Sequence, residues 1–171
     1  AFFQLNTEMA DLFYQTMVKL ADLKKTDVVI DAYAGIAPIS HYMAKSVKKV
    51  YAIEIDEKSV KSARLSLNRN EIKNVTVLQS DFGKALKHLN EEKADVMVFD
   101  PPRSGLGHQT VKEILKYQPK KIVYGSCNPS TLAKDLEELL TAYELKQIMP
   151  LDMFPFTPLV ESISVLELKK V

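Results

Sequence analysis

Ala94-Asp95-Val96-Met97-Val98-Phe99-Asp100-Pro101-Pro102-Arg103-Ser104-Gly105 is an apolar run that stops on an acid and two prolines. The same construction recurs along the chain. Val28-Val29-Ile30 ends at Asp31, and Val50-Tyr51-Ala52-Ile53-Glu54-Ile55 carries Glu54 at its end. Val75-Thr76-Val77-Leu78 is followed by Asp81, and Lys121-Ile122-Val123-Tyr124 runs into Gly125-Ser126-Cys127-Asn128-Pro129. Runs that are apolar throughout, rather than alternating, read as strands covered on both faces. Helical patterns separate them, at residues 37–46, Glu57 to Asn70, Phe82 to Leu89, His108 to Tyr117, and Pro129 to about Ala142. Pro129 suits a first helical turn, where its missing N–H costs nothing.

An additional helix comes first. Asn6 or Thr7 can cap it, Glu8 or Met9 falls in its opening turn, and Met9, Leu12, Phe13, Thr16, Met17 and Leu20 recur at helical spacing. Two last strands, about 143–151 and 160–168, have no helix between them and should pair antiparallel at one edge. The expected fold class is α/β, a doubly wound, mostly parallel, Rossmann-like sheet with an antiparallel edge strand. Ligands of such sheets bind beyond the carboxyl ends of the strands. That places the loops Asp31 to Ala37, Glu54 to Asp56, Asp100 to Gly105 and Gly125 to Pro129 on one edge.

Composition bounds the answer. A chain of 171 residues with 46% hydrophobic residues is expected to form one domain, residues 1–171. A net charge of +1 gives no global field for nucleic acid, so an RNA partner has to be held locally or by another part of the protein. The lysine pairs 24–25, 48–49, 120–121 and 169–170 read as solvated element ends. One cysteine excludes a disulfide framework and a cysteine-based zinc site, and the scattered His41, His88 and His108 speak against a metal. A free thiol suits a reducing compartment, and a cytoplasmic location is expected. No apolar stretch is long enough to span a membrane, so no membrane partner is expected. The abrupt start at Ala1-Phe2-Phe3 reads as a fragment cut from a longer protein.

Each candidate site residue has a plain structural reading beside the functional one. Gly35, in Asp31-Ala32-Tyr33-Ala34-Gly35-Ile36-Ala37, lets backbone approach a ligand, and reads equally well as an ordinary strand-to-helix turn. With one glycine and no G-x-G-x-x-G, pyrophosphate binding is disfavoured. Glu54 offers two acceptor oxygens to a ribose, or is a solvated strand-end charge. Asp81 can accept from an adenine amino group, or cap the helix at Phe82. Asp100 and its two prolines form a stiff wall for a planar base, or a structural loop. Cys127, ahead of a helix start, reads as a thiolate nucleophile supported by helix amides, although a lone cysteine is usually an inert small hydrophobe. Glu161, among Val160 and Ile163, reads as a general base withdrawn from water, or as an edge-strand charge.

Together these segments resemble the RNA (uracil-5-)-methyltransferase family. The likeness covers essentially the whole chain, which resembles that family's C-terminal catalytic domain. Phe2-Phe3-Gln4-Leu5-Asn6-Thr7 is similar to the family's entry segment, and Asp31 to Gly35 to its first cofactor motif. Asp100-Pro101-Pro102-Arg103-Ser104-Gly105 and Ser126-Cys127-Asn128-Pro129 are the most specific matches, and Val160-Glu161 resembles the terminal base motif. The resemblance implies a seven-stranded methyltransferase fold. It implies S-adenosylmethionine contacts at Gln4, Tyr33, Gly35, Glu54, Asp81 and Asp100, with Cys127 as nucleophile and Glu161 as base. It implies transfer of a methyl group to carbon 5 of a uridine in RNA, with ribosomal RNA favoured over transfer RNA. The sequence departs from the family pattern at Ala34 (often Cys), at Ala37 (usually Gly) and at Leu159 (often His).

Three rivals follow. Ala37-Pro38 suits a remnant that has lost cofactor affinity and keeps only a binding role. A nicotinamide-dependent oxidoreductase on the same sheet lacks its glycine fingerprint. An adenine amino-group methyltransferase would share the Asp-Pro-Pro loop but has no use for Cys127.

Overall fold

The computed structural model describes residues 7–89, 92–153 and 160–170. In chain order the elements are α1 (Thr7–Ala21), β1 (Val28–Ala32), α2 (Pro38–Ala44), β2 (Lys49–Glu54), α3 (Glu57–Arg69), β3 (Val75–Gln79) and α4 (Phe82–His88). Then come β4 (Val96–Phe99), α5 (Gly107–Tyr117), β5 (Lys121–Ser126), α6 (Pro129–Leu139), β6 (Tyr143–Leu151) and β7 (Glu161–Leu168). The strands form one seven-stranded sheet in the order β3-β2-β1-β4-β5-β7-β6. Its first five strands are parallel. β7 runs antiparallel to both β5 and β6, so the far edge is an antiparallel pair.

Both faces are apolar because neighbouring positions of each strand point opposite ways. Ile30, Ile53, Met97, Phe99, Ile122 and Tyr124 join α4, α5 and α6 in one buried cluster. Val29, Val50, Val96, Val98 and Val123 join Phe13 and Met17 of α1, and Ile39 and Met43 of α2, in another. Val60, Ala63 and Leu67 of α3 pack with Ala52 and Val77. Side chains start three of these helices: Asp56, Asp81 and Asn128 accept from Ser59 N, Lys84 N and Ser130 N. No helix among the described residues is long and apolar enough to cross a membrane.

Several boundaries differ from the sequence reading, each for a pairing reason. β1 continues past Ile30 because Asp31 and Ala32 are paired on both sides, with Ala52 and Ile53 of β2 and Val98 and Phe99 of β4. β4 starts at Val96, since Asp95 is occupied in bonding Val28 through its backbone N–H and its Oδ2. β5 runs on to Ser126 because β7 pairs with it as far as Ser162. α6 stops at Leu139 in a turn closed by Thr141 N on Glu138 O. The expected cap at Asn6 lies outside the described residues.

α1 can lie flat on the sheet only because β5 carries Gly125. A Cβ there would meet Phe13 Cζ at 2.7 Å and Met17 Cε at 3.3 Å. Phe13 and Met17 are themselves buried and cannot swing aside. Gly125→Ala is therefore expected to cost ~2 kcal/mol of unfolding free energy through overpacking. A denaturant midpoint lowered with an unchanged slope checks it.

Candidate functional site

The carboxyl ends of β1, β2, β4 and β5 present Asp31, Glu54, Asp100 and Cys127 on one edge. β7 enters the sheet there from the opposite direction. Its Ser162 is paired with Ser126 of β5. Continuing that register one step sets Cys127 opposite Glu161. Two residues 34 positions apart in sequence are thus neighbours because two strands are antiparallel.

At the β1–β2 end a cleft of about 130 Å³ is lined by Tyr33, Ile53, Glu54, Ile55, Ser80, Asp81 and Phe82. The Tyr33 and Phe82 rings stack at 6.4 Å with planes 20° apart, and the Tyr33 hydroxyl meets Thr110 Oγ1 at 3.1 Å. Glu54 organises this end. Its Oε1 accepts from Ile55 N at 2.7 Å and Asp56 N at 2.8 Å, and its Oε2 accepts from Gly35 N at 2.8 Å. Of about four acceptor sites on a carboxylate, three are filled by backbone, so one remains for a ligand hydroxyl. Asp81 has the expected cap role on α4, accepting from Lys84 N, and a place on the cleft wall. A Cβ on Gly35 would meet nothing within 4 Å, but its φ of +55° is one that side chains disfavour.

Ala37 stands in a backbone conformation that favours glycine. It has φ 63° and ψ 41°, is fully buried, and precedes α2 with no side-chain cap bond. A left-handed alanine costs roughly 1–2 kcal/mol. Pro38 at the start of α2 fits without strain.

The acids form the second half of the site. Asp31 is 1% exposed, and its Oδ2 accepts from Ser40 Oγ at 2.6 Å. Its Oδ1 is buried with no hydrogen-bond partner among the described residues. Burial pushes its carboxyl up to about 7, against the pull of the Ser40 hydrogen bonds, and the Glu54 charge adds to the rise. Asp100 is also pushed up to about 7, by burial first, then by Glu161 and Asp31. Glu161 is 7% exposed and burial raises its carboxyl. Tyr14 of α1 faces the same group, and burial followed by the charges of Asp100, Asp31 and Glu161 raises it to about 12.

Cys127 is half-buried. Burial raises its thiol, Glu161 and Asp100 add to the rise, and its own backbone hydrogen bond and the Arg103 charge oppose it. This differs from the sequence expectation of a thiolate held by helix amides. Asn128 is the N-cap of α6, so the cysteine sits one residue outside the first turn, and burial is the largest influence on its thiol.

The structure thus brings together Cys127, Glu161 and Asp100, and separately Tyr33, Gly35, Glu54 and Asp81. Gln4 lies outside the described residues. Asp31 and Tyr14 were not singled out from sequence. A charged residue inside the buried strand Val28–Ala32 was the available signal for Asp31. Tyr14 gave none, since it follows Phe13 on an ordinary amphipathic helix. A larger hollow of about 490 Å³, lined by Glu144, Lys146, Glu167, Leu168, Lys169 and Lys170, lies at the opposite edge among solvated charges of both signs.

The model of the tRNA (uracil-5-)-methyltransferase family matches residues 1–170. The chain belongs to that family. It is 40% identical over 172 residues to an uncharacterized RNA methyltransferase of Halalkalibacterium halodurans, covering 99% of this chain and 38% of that protein. It is 42% identical over 172 residues to one of Protochlamydia amoebophila, covering 98% and 39%. The chain therefore spans under two-fifths of these curated relatives. Among solved structures it resembles a Pyrococcus abyssi tRNA (uracil-54, C5)-methyltransferase in complex with S-adenosyl-L-homocysteine. The TM-score is 0.75 and the identity 31%, over 97% of this chain and 40% of that one. An rRNA methylase from Streptococcus thermophilus, at 17% identity and TM-score 0.71, shares the fold over 99% of this chain.

The raised acids make a stability prediction with a definite sign. Asp31 goes from an ordinary 3.8 to about 7 on folding. Between those values the folded chain binds the proton better, so its contribution falls as pH rises through the window. Asp31→Asn keeps an acceptor for Ser40 and cannot ionise. It should be more stable than the wild type at pH 8, on the order of 2 kcal/mol, with the gap closing as pH falls toward 4. Thermal melts across pH measure it.

Proposed function

We propose that the protein transfers a methyl group from S-adenosylmethionine to carbon 5 of a uridine in RNA, with residues 1–171 as its catalytic domain and Cys127 as covalent nucleophile. The observation that supports this most is the pairing of the sole thiol with a buried acid across the ends of β5 and β7. A uracil C5 transfer needs both a nucleophile and a base, whereas an adenine amino-group transfer needs neither.

The residues fit the cofactor. The cleft between Tyr33, Glu54 and Asp81 suits an adenosine, with one Glu54 acceptor site toward the ribose. The unpartnered Oδ1 of Asp31 suits an ammonium donor. Asp100 and Asp31 supply negative charge toward a cation, which would favour their ionised forms. Gln4, by family resemblance, adds a further contact. When bound, the cofactor supplies a methyl group on a positively charged sulfonium.

The chain's own residues then have three tasks. Cys127 adds to C6 of uracil, which makes the otherwise unreactive C5 an enolate-like nucleophile. Arg103 is the cation that favours the thiolate for this step. After transfer Glu161 takes the proton from C5, and the Sγ–C6 bond breaks to restore the ring. A carboxylate withdrawn from water is a stronger base than a solvated one, which suits Glu161 to that proton. The uridine has to leave its stack to reach a half-buried thiol.

Ribosomal RNA is the substrate class favoured by the sequence reading, and transfer RNA is the class named by the family and the Pyrococcus neighbour. Assays with both decide. The strained Ala37 favours a second reading, a module that has lost cofactor affinity and only binds. Calorimetric titration with S-adenosylmethionine is expected to show one saturable site, lost in Glu54→Ala. No binding by the full-length protein would support the second reading instead. Cys127→Ala in the full-length protein should lower methyl transfer at least about a thousand-fold, and undiminished turnover would overturn the mechanism.

A further inference from the structure

Asp135 lies on α6, two turns beyond Cys127, and is 5% exposed. Its carboxylate is the meeting point of three donors from two other elements. Oδ2 accepts from Leu106 N at 2.8 Å and from the Tyr124 hydroxyl at 2.6 Å, and Oδ1 accepts from Gly107 N at 3.1 Å. Leu106 has no side-chain cap bond of its own for α5. Asp135 therefore caps α5 from a different helix, where a negative charge is also favoured by the helix dipole.

The contact is tight. Gly105, with φ +78°, comes so close that a Cβ would lie 2.6 Å from Asp135 Oδ2 and 3.0 Å from Thr131 Cβ. Two further bonds run the same way. Asn128 Nδ2 and Thr131 Oγ1 both donate to the Arg103 carbonyl, at 3.2 and 3.3 Å. Residues 103–107 are thus pinned to residues 128–135 along their length. The first segment continues from Asp100-Pro101-Pro102, and the second follows directly on Cys127.

We propose that Asp135 is a positioning residue: it fixes the Asp100–Gly107 loop against the Cys127 loop and so keeps the charge of Arg103 within range of the thiol. The proposal rests on reading Cys127 as the nucleophile. Besides burial, the charges that act on the thiol are Glu161 from β7 and Asp100 and Arg103 from the loop after β4. Only Arg103 among them is a cation, and it is exposed on the loop that Asp135 ties down at Leu106 and Gly107. Asparagine cannot replace the aspartate. Both oxygens receive backbone N–H groups, and in either orientation an asparagine turns its own NH2 toward one of them.

The test uses the only cysteine of the chain as reporter. Iodoacetamide alkylation of Cys127 is followed against pH in the wild type, Asp135→Asn and Tyr124→Phe, with circular dichroism to confirm folding. The expected result is a profile midpoint moved to higher pH in Asp135→Asn, with alkylation at pH 8 slowed about threefold or more. Tyr124→Phe should move it less, in the same direction. Greater access to the thiol alone would change the plateau and leave the midpoint in place. In the full-length protein, kcat for methyl transfer should fall about tenfold while the S-adenosylmethionine dissociation constant and the RNA KM stay within about threefold. Folded variants with the wild-type midpoint would overturn the proposal, and Tyr124→Phe decides alone if Asp135→Asn does not fold. A wild type that methylates no RNA would remove the functional reading, yet the alkylation profile would still report whether Asp135 places Arg103.

Discussion

Burial of parallel strands on both faces is the constraint on which the rest depends. Once β1, β2, β4 and β5 must each be covered above and below, every connection has to be a helix, and every strand ends on the same edge. The polar residues that follow each run then have one place to go. Asp31, Glu54, Asp100 and Cys127 come from segments separated by up to 96 positions, and the sheet alone makes them a site. Glu161 is the exception that completes it. It arrives through the one antiparallel element, and the register of β7 on β5 brings it to the thiol.

The edge is held against its own electrostatics. Four acids share it, Asp31, Glu54, Asp100 and Glu161, and Asp31 and Asp100 are raised to about 7 chiefly by burial. A buried carboxylate with an unsatisfied oxygen costs on the order of a few kcal/mol. Strain at Ala37 adds to that cost. The offsetting terms lie away from the site, in the two apolar faces and in backbone bonds to Glu54 and Asp135. A site destabilised in the free protein and relieved by a cationic ligand is the arrangement expected where binding has to be coupled to charge.

Much of this was legible in the sequence, and the reasons are specific. Strand existence followed from apolar runs such as Val96–Phe99 and Val50–Ile53, and β6 was read to its residue limits because no helical period follows α6. The ends of β1 and β5 were not legible, because Asp31, Ala32, Gly125 and Ser126 are strand residues by virtue of partners distant in sequence. Asp81 could be read as cap or ligand contact, and the structure shows the cap together with a place on the cleft wall. Thiol chemistry was half legible. Position before a helix pointed to a thiolate, but the thiol is raised by burial first and then by Glu161 and Asp100, whose approach only the tertiary structure reveals. Asp135 gave no signal at all, since a single acid on a polar helix face is ordinary until Tyr124, Leu106 and Gly107 are seen to converge on it.

In the proposed mechanism the thiol and the acid at the ends of β5 and β7 act as a pair on a uracil ring. The most direct test of that pairing is a trapping experiment. Full-length protein carrying Glu161→Gln is incubated with substrate RNA and S-adenosylmethionine, and denatured protein is analysed by gel mobility and peptide mass. An RNA adduct on the Cys127 peptide that survives denaturation is expected, because transfer can occur but the C5 proton has no acceptor. Normal turnover by Glu161→Gln, or an adduct on any residue other than Cys127, would contradict the mechanism.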